Sequence, residues 1–151
     1  MRTHDPAAPP AVPRRRPARM PVLRVLPGRP ESAGLARALA REVLGDSHPA
    51  LETVLLVVSE LVTNAIIHSQ SGADGGTLLL ALCPGPAGVL IQVRDNGGAW
   101  RPLELVRPGM AAEHGYGLVL VDALADSWGT LASTQGRVTW CRISATQETK
   151  L

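Results

Sequence analysis

The segment from Leu51 to His68 constrains this chain more than any other. Leu51, Val54, Leu55, Leu56, Val57, Val58, Leu61, Val62, Ala65, Ile66 and Ile67 make it apolar almost all round. A helix of that kind belongs in a core. Yet Glu60, Asn64 and His68 recur at intervals of four. Helical residues four apart lie one above the other on one face. A carboxylate, a carboxamide and an imidazole therefore form a polar stripe on an otherwise buried element. Buried polar groups are costly without partners, so either the protein supplies those partners or a ligand does.

The core around this helix must be aliphatic. There is no Phe among the 151 residues, and hydrophobic residues make up 45% of the chain, enough for one domain with a real core. The formal net charge of +2 conceals an uneven distribution. Residues 1–30 hold seven Arg against one Asp, while residues 31–151 hold eight basic against twelve acidic side chains. The folded part is mildly acidic, and the basic surface that nucleic acid requires is confined to the tail. No direct nucleic-acid contact is expected. Cys83 and Cys141 belong to no CxxC pair and read as two free buried thiols. No apolar run approaches the roughly 18–20 residues of a membrane span, and no apolar h-region follows the N-terminal arginines. A cytoplasmic protein without membrane contact is expected. His4, His48, His68 and His114 have no metal-ligand spacing. The absence of G-x-x-x-x-G-K-[ST] excludes a P-loop enzyme.

Three regions are expected: an Arg- and Pro-rich disordered tail over 1–21, a folded domain over 22–146, and a short tail over 147–151. Val22 to Leu26 reads as a strand ended by Pro27-Gly28. Glu31 to Leu44 has a helical apolar period and is ended by Gly45. Pro49 is expected to open the next helix, which runs to about His68 or Ser69. Thr77 to Cys83 and Val89 to Asp95 read as strands joined by Pro84-Gly85-Pro86-Ala87-Gly88, an antiparallel hairpin. Asn96 to His114 is long for a plain connection and is expected to be either a functional lid or disordered. A helix over Gly115 to Ala125 and two strands, Ser127 to Ser133 and Val138 to Ser144, complete the chain. That order implies an α/β (α+β) two-layer sandwich: a mostly antiparallel, mixed sheet against about three helices.

Three features in this order suit a nucleotide. Glu60…Asn64…His68 comes first, Val93-Arg94-Asp95-Asn96-Gly97-Gly98 second, and His114-Gly115-Tyr116-Gly117-Leu118 third. Asp95 at a strand end can accept a hydrogen bond from an exocyclic amine such as that of adenine. Gly97 lets backbone approach a flat base. Gly115 and Gly117 at a helix start leave N–H groups to face phosphate. Asn64 offers a neutral oxygen to a hard cation such as Mg²⁺. Glu60, one turn away, can orient or deprotonate a nucleophile. His68 reads as structural.

"SELVTNAIIHS", "VRDNGG" and "HGYGLVLVDALADSWG" resemble the N box and the two glycine boxes of the GHKL ATPases, and the chain looks most like the anti-sigma-factor serine kinases among them. The likeness covers about residues 22–144. It implies a Bergerat-type ATP site beneath a lid, with Asn64 on Mg²⁺ and Glu60 as catalytic base. Asp95 and Gly97 would hold adenine, and Gly115, Tyr116, Gly117 and Leu118 would line the phosphates. It also implies an anti-anti-sigma (STAS-type) antagonist and a sigma factor as partners, and a homodimer. The alternative is a non-catalytic, ATP-dependent binding module of the same fold. Two departures stand out. Tyr116 occupies a place that is often basic, so charge at the phosphates falls to Mg²⁺, the helix end, or Arg101 and Arg107. The closing strand reads Gly136-Arg137-Val138-Thr139-Trp140 where relatives often read Gly-Lys-Thr-Val-Trp. Adjacent strand residues face opposite sides, so Thr139 is expected to miss the place of the family threonine.

Overall fold

The structure, a computed structural model, describes residues 20–97, 116–133 and 135–146. The C-terminal tail, the N-terminal tail up to residue 19, the expected lid from residue 98 onward, and Gly115 lie outside those residues. Five strands and three helices follow in the order β1 (Val22–Pro27), α1 (Glu31–Leu44), α2 (Leu51–His68), β2 (Thr77–Gly85), β3 (Gly88–Arg94), α3 (Tyr116–Leu124), β4 (Ser127–Ser133) and β5 (Gly136–Ser144). The sheet order is β1-β2-β3-β5-β4. Every neighbouring pair is antiparallel, so the sheet expected to be mostly antiparallel is antiparallel at every described pairing. Tight hairpins join β2 to β3 and β4 to β5, and such turns produce only antiparallel neighbours.

Alternation along the strands assigns the two faces. Leu26, Leu78, Leu80, Leu82, Val89, Ile91, Val93, Cys141 and Ile143 share one buried cluster with Ala36, Leu39 and Ala40 of α1 and Val54, Val57, Val58 and Leu61 of α2. The register agrees, since Val89, Ile91 and Val93 lie opposite Ile143, Cys141 and Thr139. The helices therefore cover a single face of the sheet. Leu23, Val25 and Leu131 are exposed, and their register partners place them on the other face. Burying a side chain such as that of Leu61, 1% exposed, contributes about 1.5–3 kcal/mol, and Trp128, also 1% exposed, joins the aliphatic side chains in that core although an aliphatic core was expected.

Local chemistry sets the helix ends. Gly45 ends α1 at φ +81°, a left-handed value that favours glycine, and its N–H donates to the Arg41 carbonyl at 2.9 Å. Pro49 does not open α2. It sits in a turn in which the Leu51 N–H donates to the His48 carbonyl and the Ala50 N–H to His48 Nδ1, both at 3.1 Å, and the helix starts two residues later. A 3₁₀ turn over Gln70–Gly72, absent from the sequence expectation, follows α2 directly. Of the described helices, α2 is the one long and apolar enough to cross a membrane, although the expectation was that no segment would be. More than half of it is buried inside the protein, as a core helix requires.

Candidate functional site

The stripe on α2 is graded by burial. Glu60 is half-buried, Asn64 is buried, and His68 closes the helix half-buried and engaged by its surroundings. Asn64 is 7% exposed, and its Nδ2 has no hydrogen-bond partner among the described residues. Leaving such a group unpaired costs about 1–3 kcal/mol. The internal structure therefore leaves the middle of the stripe unsatisfied, and a ligand can satisfy it.

The second feature lies where β3 ends. Asp95, 8% exposed, bends its carboxylate back onto the backbone. Its Oδ1 accepts the N–H of Gly97 at 2.8 Å and that of Arg137 at 3.1 Å, while its own N–H donates to the Arg137 carbonyl at 2.9 Å. Oδ2 accepts no hydrogen bond from the described residues. With Oδ1 committed to two backbone N–H groups, the carboxylate has one oxygen to spare as an acceptor. Gly97 sits at φ +65°, in the left-handed region that glycine tolerates best.

The β4–β5 hairpin braces this segment from the side. A Cβ on Gly136 would lie 1.9 Å from the Asp95 carbonyl oxygen, and one on Gly97 would lie 3.0 Å from the Gly136 Cα. The two backbones are packed as closely as glycine permits. Arg137, 4% exposed, follows at once. Burial lowers the pKa of its guanidinium, and the negative charge of Asp95 opposes that shift. Thr139 is opposite Val93, shares the helix-covered face with Cys141 and Ile143, and is 7% exposed. The residue turned to the uncovered face is Val138. Position 139 therefore places a hydroxyl on the same face as Val93, and its neighbour in the motif, Val138, faces the other side, as adjacent strand residues do.

The third feature is partly described. Tyr116 begins α3, with Gly117 and Leu118 in its first turn. The Leu118 side chain belongs to the buried core at 4% exposure, so it can offer a ligand only its backbone. α3 packs on α2, which brings this helix start into the layer that carries Asn64. Sequence reasoning missed Ser71, fully buried in the 3₁₀ turn, whose Oγ accepts the Asn96 N–H at 2.9 Å. The signal available was Ser69, two residues earlier, a natural cap for a short turn. The two cysteines are free and lie on opposite faces of the sheet. Cys83 is half-buried rather than buried, and burial raises its thiol pKa. Among the described residues no group of three or more His, Cys, Asp or Glu is gathered around a possible metal.

Comparison with known proteins agrees with this geometry. The profile of the family described as "Histidine kinase-like ATPase domain" matches residues 26–143. The chain is 28% identical over 116 residues to the serine-protein kinase RsbW of Oceanobacillus iheyensis, covering 67% of this chain and 72% of that protein. It is 27% identical over 119 residues to the serine-protein kinase RsbW of Listeria monocytogenes, covering 67% and 73%. A crystal structure of the RsbU and RsbW domains of Rv1364c from Mycobacterium tuberculosis shares the fold, with a TM-score of 0.61 at 21% identity. That likeness covers 83% of this chain and 32% of the other, so this chain spans about a third of that one.

Proposed function

We propose a function from the premise that this chain belongs to the histidine kinase-like ATPase domain family. It is an ATP-binding regulatory protein and a serine/threonine kinase of the anti-sigma type. The relatives named serine-protein kinase RsbW support the activity. In this reading the acceptor is an anti-anti-sigma (STAS-type) antagonist, a sigma factor is the sequestered partner, and the protein works as a cytoplasmic homodimer. Residues 22–146 are the functional unit, flanked by tails over 1–21 and 147–151.

One observation carries the reading: the buried Asp95 carboxylate, whose Oδ1 is committed to two backbone N–H groups while Oδ2 is left to accept. A fixed acceptor of this kind selects a base that presents an exocyclic amine, as adenine does. Gly97 and Gly136 keep side chains away from that position, and Thr139 adds a hydroxyl on the same face of the sheet. At the other end, the Asn64 Nδ2, a donor without a partner among the described residues, fits a ligand that brings an acceptor such as a phosphate oxygen, and leaves Oδ1 as the atom for a cation. Asn64 would hold Mg²⁺, which neutralises phosphate charge when bound. Glu60, one turn before it and half-buried, accepts the proton of the acceptor serine as the hydroxyl is oriented for transfer. In this reading the phosphates take the backbone N–H groups of Tyr116, Gly117 and Leu118 at the start of α3 and of Gly115, which precedes them in the sequence.

The second reading, an ATP-dependent binding module without turnover, is favoured by Tyr116, which puts no positive charge between Gly115 and Gly117. The test is incubation with labelled ATP, Mg²⁺ and candidate antagonists encoded nearby, alongside calorimetric titration with ATP. Label on an antagonist serine supports the kinase, and ATP binding without transfer supports the module. Undiminished Mg²⁺-dependent ATP affinity in Asn64→Ala overturns the site.

A further inference from the structure

We infer that Ser71 is a positioning residue that fastens the base-reading segment Asp95–Gly97 to the helix carrying Glu60 and Asn64. The inference rests on the nucleotide reading above. A continuous hydrogen-bonded path joins the two ends of the site. Ser69 Oγ donates to the Ala65 carbonyl, next to Asn64, at 2.6 Å and accepts the Ser71 N–H at 3.0 Å. Ser71 Oγ accepts the Asn96 N–H at 2.9 Å, and the Gln70 N–H donates to the Gly97 carbonyl at 2.8 Å. Gly97 in turn donates to Asp95 Oδ1. The 3₁₀ turn over Gln70–Gly72 is thus a splint between the C-terminal end of α2 and the end of β3.

The splint is held rigidly from behind. Ser71 is fully buried. A Cβ on Gly28 would lie 1.4 Å, and one on Gly76 2.2 Å, from the Ser71 carbonyl oxygen. The Gly28 N–H also donates to the Gly76 carbonyl at 2.8 Å. The β1–α1 turn and the entry to β2 therefore pack closely on the backbone of Ser71, while its Oγ meets the Asn96 N–H. Asp95 can discriminate between bases only if its backbone does not drift relative to Asn64. Ser71 supplies that constraint without touching the nucleotide.

The test compares wild type, Ser71→Ala, which removes the acceptor, and Ser71→Cys, which keeps an atom at the γ position but carries only a weak acceptor. Amide exchange at Asn96 and Gly97 is measured without nucleotide, with the amides of α1 as a reference for the folded state. Affinities for ATP and GTP are measured by calorimetry. In both variants exchange at Asn96 should rise about 3–10-fold while α1 stays protected, and the preference for ATP over GTP should shrink by a similar factor. Wild-type exchange at Asn96 in either variant, or an undiminished preference for ATP, overturns the role of Ser71 alone. Wild-type protein that binds ATP and GTP alike overturns both that role and the site reading.

Discussion

Replacing Gly136 by Ala should damage nucleotide binding from a residue that contacts no ligand. Gly136 has φ +140°, and an added Cβ would lie 1.9 Å from the Asp95 carbonyl oxygen, 3.0 Å from its carbonyl carbon and 3.3 Å from the Gly97 nitrogen. All three atoms are backbone, so no rotamer change relieves the overlap. Ordinary contact begins near 3.4 Å, so the ends of β3 and β5 must separate by about 1.5 Å, the difference between those two distances. A separation of that size breaks the hydrogen bonds from Arg137 N to Asp95 Oδ1 and from Asp95 N to the Arg137 carbonyl, now 3.1 and 2.9 Å, and displaces the carboxylate. A hydrogen bond to a charged group contributes about 1.5–3 kcal/mol, so ATP affinity should fall by roughly 10–150-fold. Titration calorimetry with Mg²⁺ and ATP measures this, and circular dichroism checks that the variant is folded. Gly85→Ala is the control at the far end of the sheet, where the nearest atom to an added Cβ is the Gly88 carbonyl oxygen at 3.9 Å. A folded Gly136→Ala protein that binds ATP as tightly as the control does would refute the reasoning.

Asp95→Asn should weaken ATP by roughly 10–150-fold on the same energetics and erode its preference over GTP in competition titrations. Glu60→Ala should retain ATP by calorimetry but transfer no label to an antagonist serine. Stability should fall as pH rises into the alkaline range. Burial first, and the negative charge of Asp126 second, push the Cys141 thiol well above its ordinary range. The folded state therefore keeps a proton that the unfolded chain releases above about pH 8.5. This contribution is complete below that pH and is lost above it at up to about 1.4 kcal/mol per pH unit. Urea melts at pH 7, 9 and 10 should show the decline, and Cys141→Ala should flatten it.

Elements with a strong local signal were legible in the sequence. α1 has a clean apolar period and a terminating glycine, and its observed bounds, Glu31–Leu44, are those expected. β4 likewise runs Ser127–Ser133 as read. Pro49 was misplaced because the His48 backbone and side chain together form a turn that competes with helix initiation. Cys83 was expected to be buried, but it lies on the sheet face that none of the described helices covers. The antiparallel direction of every strand pair was only partly legible, because pairing between β3 and β5 depends on residues distant in the chain.

The sequence alone determined that a polar stripe would lie on a buried helix, because apolar residues and residues spaced by four are local properties of the chain. It also determined that an acidic residue followed by glycine would end a strand. Only the tertiary structure decided which members of the stripe are satisfied, with Asn64 Nδ2 left without a partner among the described residues and Glu60 half-buried. It placed Thr139 on the helix-covered face, since facing depends on register with Val93 and not on the order of a motif. It brought Ser71, Asp95 and Gly136 together across separations of 24 and 41 residues, because hydrogen bonds and backbone contacts between distant segments leave no periodic trace in the sequence.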